Sequence, residues 1–161
     1  MRIIILILIV LMAPLLALAE IPVSAEEALK RIFPSAREHK IQGRIFAGQP
    51  VKVFHVFAEG KAIGWAVMLD EIGKTEPITF LVGIDKEMKV AGIDVLELRD
   101  MRGAGIKRRS FLRQFQNMSL QDKIAVGKDI DAVSGATMSS YAAAQAVRKA
   151  LAVAKEAQGA Q

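Results

Sequence analysis

The chain has 161 residues, no cysteine and a formal net charge of +5. Its length predicts a single domain, and the lack of cysteine excludes disulfides, a lipoprotein anchor, c-type haem attachment and thiolate-bound iron–sulfur clusters. Its two histidines, His39 and His55, lie in different segments without the spacing of metal ligands, so we expect no metal site. Any redox chemistry must therefore come from a cofactor that needs no thiol.

The first 19 residues predict an export signal. Arg2 precedes a continuous apolar run over residues 3–18, and residues 17–19 read Ala-Leu-Ala, a small-x-small cleavage site before Glu20. These features are typical of a cleaved secretory signal peptide, and an uncleaved anchor is the alternative. In either case we expect residues 20–161 to form a domain in the periplasm or on the extracytoplasmic face of the membrane.

The next elements along the chain are one helix and several strands. Ser24 and Glu27 form a capping box, which predicts a helix that ends before Pro34. Four segments have strand composition: residues 51–57, 62–69, 77–84 and 90–98. The first two are separated by Glu-Gly-Lys at residues 59–61, which predicts a β-hairpin. In the fourth segment, residues 90–98, apolar and polar residues alternate imperfectly.

The C-terminal half predicts helices. Residues 102–105 have a hinge-like Arg-Gly-Ala-Gly sequence, residues 110–115 have apolar residues at helical spacing, and residues 141–157 form an alanine-rich helix. Consecutive antiparallel strands framed by helices predict an α+β single domain, with an antiparallel sheet flanked by helices.

Residues 131–140 form a small-residue turn that runs into the last predicted helix. Two interpretations of its hydroxyl groups remain open. Ser134 or Thr137 can act as the helix N-cap, or the turn can bind a phosphate at the positive end of the helix. Gly135 permits a tight turn or a close approach of the backbone to a ligand.

The whole string from Asp131 to Ser140, Asp-Ala-Val-Ser-Gly-Ala-Thr-Met-Ser-Ser, resembles the flavinylation motif of the FMN-binding domain family. That family includes the G subunit of the Rnf electron-transport complex and the C subunit of the sodium-translocating quinone reductase. The resemblance implies a covalent FMN, joined to Thr137 through a phosphoester bond. The cofactor site would also include Ser134, Gly135, Ala136, Ser139 and Ser140. Asp131 would belong to the signal read by an ApbE-type flavin transferase.

The resemblance extends from about residue 51 onward. A family loop near the flavin, Glu-Thr-Pro-Gly-Leu-Gly, corresponds here to residues 100–105, which keep Gly103 and Gly105 but replace Thr, Pro and Leu. We place both glycines in the cofactor site. We also hypothesise that Arg102 lies near the ring and stabilises an anionic reduced flavin.

These features predict an exported flavoprotein that carries electrons and is not an independent enzyme. The chain lacks a nicotinamide-binding glycine fingerprint after a strand. The expected redox partner is a cytochrome or an Rnf-like membrane complex. Two alternatives remain: a sensory or assembly module that binds flavin or phosphate noncovalently, and a hydrolase with Ser134 or Thr137 as nucleophile, for which the sequence shows no matching general base.

Basic residues cluster in one region of the sequence: Arg99, Arg102, Lys107, Arg108, Arg109 and Arg113. We expect no nucleic-acid binding, because no recognition motif or interleaved aromatic residue accompanies these charges. The cluster is either a solvated basic face or a docking surface for an acidic redox partner or for anionic lipid headgroups.

Overall fold

The computed structural model describes residues 24–160, so the predicted export signal lies outside the described residues. The elements in chain order are α1 (Ala25–Ile32), β1 (Glu38–Phe46), β2 (Gln49–Ala58), β3 (Lys61–Ile72), β4 (Pro77–Asp85), β5 (Val90–Leu98), a 3-10 helix (Met101–Lys107), α2 (Arg109–Leu112), a 3-10 turn (Arg113–Phe115) and α3 (Thr137–Gly159). The predicted α+β domain, with an antiparallel sheet flanked by helices, is confirmed.

The sheet is a meander in which the five strands lie side by side in the order β1-β2-β3-β4-β5. All neighbouring strands are antiparallel, and the predicted hairpin is formed by β2 and β3. Strand β1 is absent from the sequence-based expectation. Its residues are mostly exposed at the edge of the sheet, so its sequence shows little of the apolar alternation by which a strand is recognised.

The imperfect alternation in β5 has a structural cause. Its register against β4 shifts twice, between Gly83 and Ile84 and between Thr79 and Phe80. Each shift is a bulge that adds one residue to β5 and switches the faces of the residues that follow. The strand therefore buries Val90, Ile93, Val95 and Leu98 at spacings that a regular strand would not show.

Helices cover both faces of the sheet. On one face Leu29 of α1 and Phe33, which follows the helix, belong to one buried cluster with Leu81, and a Cβ at Gly83 would overlap the side chain of Ile32. The predicted N-cap is confirmed at the start of α1, where the Ser24 hydroxyl accepts a 3.1 Å hydrogen bond from the Glu27 N–H. The close approach of α1 to the sheet thus depends on glycine in β4.

Helix α3 covers the other face, mainly across β3 and β4. It begins at Thr137, so the prediction that it starts at residue 141, with Thr137 before it, is wrong. Burial of Ser139 and Ser140 extends the helix beyond its alanine-rich part, because tertiary packing outweighs the lower helix propensity of serine and threonine.

The hinge-like interpretation of residues 102–105 is also wrong. These residues lie within a 3-10 helix whose Gly103 and Ile106 are buried, so contacts with the rest of the domain hold them. The short helix predicted over residues 110–115 is confirmed as α2 followed by a 3-10 turn. None of the helices within residues 24–160 has the length and apolar character needed to cross a bilayer.

Candidate functional site

The start of α3 carries an exposed hydroxyl and has no side-chain cap. Ala136 is the N-cap residue and makes no side-chain hydrogen bond to the helix, so the interpretation of Ser134 or Thr137 as the cap is wrong. Thr137 is the first helical residue, and its side chain is exposed. The first N–H groups of a helix have no intrahelical acceptor, so this end presents donors together with the positive end of the helix dipole.

The two serines of the first turn differ in their hydrogen bonds. The Ser140 hydroxyl accepts from the Val133 N–H at 3.0 Å and donates to the Ala136 carbonyl at 3.0 Å. It therefore holds the preceding loop against the helix. The Ser139 side chain is only 5% exposed and lines a cavity, and its hydroxyl has no hydrogen-bond partner within residues 24–160. Ser139 is thus available to a ligand, whereas Ser140 is already engaged.

The cavity has a volume of about 230 Å³ and lies between the start of α3, the β3–β4 turn and the 3-10 helix. It brings together six of the residues predicted from sequence: Arg102, Gly103, Gly135, Ala136, Thr137 and Ser139. Three further residues line it that sequence reasoning missed: Lys74, Asp100 and Met138. Lys74 lies in the turn after β3, and nothing in its local sequence relates it to the start of α3, which is far away along the chain.

Four predicted site residues lie outside the cavity lining: Ser134, Ser140, Gly105 and Asp131. Ser134 is exposed. Gly105 packs against the loop before α3, because a Cβ there would lie 2.5 Å from Val133 Cγ1. The four residues therefore either shape the loop before α3 or are exposed to solvent, and none of them lines the cavity.

Asp131 is held through its backbone and not through its carboxylate. Its N–H donates to Gln114 Oε1 at 2.8 Å, and Gln114 Nε2 donates to its carbonyl at 3.2 Å. The residue itself is exposed. The Gln114 amide thus fixes the start of the loop and leaves the carboxylate accessible from outside.

Two glycines shape the site for different reasons. Gly135 has φ +78°, and a Cβ there would meet nothing within 4 Å, so backbone conformation and not space requires glycine. At Gly103 a Cβ would lie 2.5 Å from Ser139 Oγ and 3.3 Å from Ser139 Cβ. Glycine at position 103 therefore allows the 3-10 helix to lie directly against the first turn of α3.

The charges at the cavity rim are partly paired. The Asp100 carboxylate accepts from the Arg102 backbone N–H at 3.0 Å, from its Nε at 3.1 Å and from its Nη2 at 3.2 Å. The side-chain hydrogen bond from Arg102 lowers the pKa of Asp100, and the same contact raises the pKa of Arg102. Arg102 thus contributes to the rim as half of an ion pair, while Lys74 is exposed at the cavity.

Metal binding is not indicated in the described part of the chain. Across residues 24–160 the histidine and acidic side chains form no group of three that would hold an ion.

Comparison with known proteins relates this site to a family. Residues 73–152 match a family model described as the FMN-binding domain, a range that includes all the residues lining the cavity. The chain is also 30% identical, over 159 residues, to the G subunit of an ion-translocating oxidoreductase complex from Methanosarcina acetivorans. That alignment covers 86% of this chain and 85% of the relative.

Proposed function

This chain belongs to the FMN-binding domain family, and from that premise we propose that it is an exported electron-transfer flavoprotein whose FMN is tethered to Thr137 by a phosphoester bond. The observation that carries the proposal is the exposed Thr137 hydroxyl at a helix start that lacks a side-chain cap and opens onto a cavity. The proposed attachment point and a set of hydrogen-bond donors therefore lie together.

The donors around Thr137 suit the phosphate of FMN. A phosphate bound at a helix N-terminus accepts from the free N–H groups and is favoured by the dipole, and Ala136 has no side-chain oxygen that would compete for them. The Ser139 hydroxyl has no partner among the described residues, so it can donate to a phosphate oxygen without giving up another hydrogen bond within this part of the chain. Lys74 would add a positive charge.

The remainder of FMN would extend beyond the cavity. At about 230 Å³ the cavity is smaller than the range of roughly 300–1,000 Å³ typical of pockets for small organic ligands. Two large side chains on the first two turns of α3, Met138 and Tyr141, are each 51% exposed. They supply apolar surface beside Thr137 on which the isoalloxazine ring could rest.

The attachment step needs a hydroxyl that another protein can reach. In the transfer that we propose, a bond forms between Thr137 Oγ and the FMN phosphorus of FAD, the pyrophosphate bond breaks, AMP leaves, and the hydroxyl proton is released. An ApbE-type transferase would carry out this step, with the exposed Asp131 carboxylate as part of its recognition signal. The structure of this chain contributes the rigid loop, since Gln114 and Ser140 hold it at both ends.

Bound FMN would supply the redox chemistry, and the protein would bind it and tune its potential. A covalent bond retains the cofactor outside the cytoplasm, where a dissociated flavin would be lost. The relative from Methanosarcina acetivorans is named as part of an ion-translocating oxidoreductase complex, which supports a membrane complex or a cytochrome as the electron-transfer partner. The competing function is a module that binds flavin or phosphate noncovalently with the same donors.

The test is mass analysis of the chain exported from a host that co-expresses a flavin transferase. We expect an increment equal to FMN minus water on the tryptic peptide that contains Thr137, and no increment in Thr137→Ala. Ser110→Ala, which changes an exposed hydroxyl outside both the cavity and the motif, is the control and should remain flavinylated. An unmodified peptide, in a host that flavinylates a control substrate, would contradict covalent attachment.

The same preparations test the noncovalent alternative. If Thr137→Ala purified under native conditions remains yellow and releases FMN on denaturation, the cavity binds flavin without a covalent bond. If Thr137→Ala is colourless while the unsubstituted chain carries FMN, retention of the cofactor depends on the phosphoester.

A further inference from the structure

A basic groove lies beside the edge strand β5, outside the cavity described above. It has a volume of about 310 Å³ and runs between the end of α1 and the segment that follows the 3-10 helix. Its polar and charged lining residues are Arg31, Asp94, Lys107, Arg109, Arg113 and Gln116. Part of the basic sequence cluster therefore lines a concave surface and is not spread over a convex face.

Two of the groove's charges neutralise each other. The Asp94 carboxylate accepts from Arg31 Nε at 2.8 Å and lies 2.8 Å from its Nη2, and it also accepts from the Val95 N–H at 3.1 Å. Arg109 and Arg113 form no ion pair with any residue in the range 24–160. The groove therefore presents two guanidinium groups whose charge is not balanced by a neighbouring carboxylate.

The groove and the flavin cavity lie at opposite ends of one short helix. Arg102, near the start of the 3-10 helix, lines the cavity, whereas Lys107 at its end lines the groove. At about 2 Å of rise per residue, the backbones of these two residues are roughly 10 Å apart. The nearest walls of the groove and of the cavity are therefore joined by a single short helix.

We propose that this groove docks an acidic segment of a protein redox partner and thereby holds that partner next to the flavin. The inference rests on the proposed function for the flavin, but the binding itself needs only the groove. Arginine binds carboxylates through paired hydrogen bonds, and the Gln116 amide can bond to a peptide group. Electrostatic attraction between the groove and an acidic partner would speed their encounter, and this attraction would weaken as salt rises.

The concave shape favours a polypeptide over a membrane as the occupant. Residues 91–94 of β5 line the groove, and Gly92 and Ile93 among them are buried, so a flat bilayer surface would make less contact with them than an inserted chain would. An extended acidic segment can enter the groove and place carboxylates against both Arg109 and Arg113.

The experiment uses a fluorescein-labelled peptide of alternating glutamate and glycine, titrated with the exported chain and followed by fluorescence anisotropy at two salt concentrations. We expect binding that weakens as salt rises. The double variant Arg109→Glu with Arg113→Glu should lose about tenfold or more in affinity, about 1.4 kcal/mol. The matched control, Lys61→Glu with Lys155→Glu, makes the same charge change at exposed positions outside the groove and should lose less than about threefold.

Equal losses in the two double variants would overturn the proposal, because net charge alone would explain them. Binding to phosphatidylglycerol vesicles that depends on Arg109 and Arg113, with no effect of these residues on the peptide, would assign the groove to lipid instead. Repeating the titration with Thr137→Ala separates this proposal from the flavin proposal, since groove binding should persist without flavin attachment.

Discussion

The contact between Gly103 and Ser139 makes a quantitative prediction about the wall of the proposed flavin site. A Cβ at position 103 would lie 2.5 Å from Ser139 Oγ, whereas ordinary contacts begin at 3.4 Å, so the two groups must separate by roughly 0.9 Å. Ser139 is buried, and its Cβ would be 3.3 Å away, which limits relief by rotation of the hydroxyl. We expect Gly103→Ala to lower the free energy of unfolding by about 1–2 kcal/mol, the cost of modest overpacking.

A double-mutant cycle isolates this contact. Ser139→Ala removes the oxygen that clashes, so Gly103→Ala should cost about 1 kcal/mol less in the Ser139→Ala background. The measurement is urea unfolding of the four chains, all without flavin. Gly43→Ala is the control and should be almost neutral by comparison, because a Cβ there meets nothing within 4 Å. If Gly103→Ala destabilises equally with and without the Ser139 hydroxyl, the steric reasoning is refuted.

Further predictions concern the loop before α3, the hydrophobic core, the loss of stability at acid pH and the potential of the flavin. Gly135→Ala should cost about 1 kcal/mol, because an L side chain is strained at φ +78°, and thermal unfolding would show it as a fall in Tm. Leu151→Ala empties a fully buried position and should cost about 2–5 kcal/mol in denaturant unfolding. Hydrogen bonds from backbone N–H groups lower the pKa of Asp129, and the bond from Ala125 has the largest effect. The contribution of Asp129 to stability is therefore complete above the ordinary pKa of 3.8 and is lost as pH falls through the lowered value. In Asp129→Asn the free energy of unfolding should therefore fall less steeply at acid pH. Arg102→Ala should lower the midpoint potential of the bound flavin by removing a positive charge near the cavity.

Each of these predictions has a contrary outcome. An unchanged Tm in Gly135→Ala would show that the loop relaxes, and a loss below about 1 kcal/mol in Leu151→Ala would show that the core closes around the gap. If Asp129→Asn does not change the loss of stability at acid pH, that loss belongs to other carboxylates. A midpoint potential unchanged in Arg102→Ala would disprove the suggested role of that cation, whose charge is paired with Asp100.

Features formed by residues that are close together in the chain could be predicted from the sequence alone. The N-cap of α1 joins Ser24 to the Glu27 N–H, three residues away, and it was found where predicted. The β2–β3 hairpin follows from two strand-like segments and a short turn between them. The family was identified from one string of ten residues, which the comparisons confirmed, while export, cleavage and covalent attachment remain predictions.

The remaining features depend on contacts between distant segments, and no local pattern encodes them. Strand β1 is held by pairing with β2 and carries little apolar signal of its own. The start of α3 at Thr137, the engagement of Ser140 and the availability of Ser139 follow from packing against Val133 and Gly103. Lys74 joins the cavity only because the β3–β4 turn lies beside the helix. The sequence by itself determined the fold class, the family and the threonine proposed to carry FMN, because each depends on adjacent residues. Only the tertiary structure decided which groups surround that threonine and which basic residues form a groove, because these contacts join segments far apart in the chain.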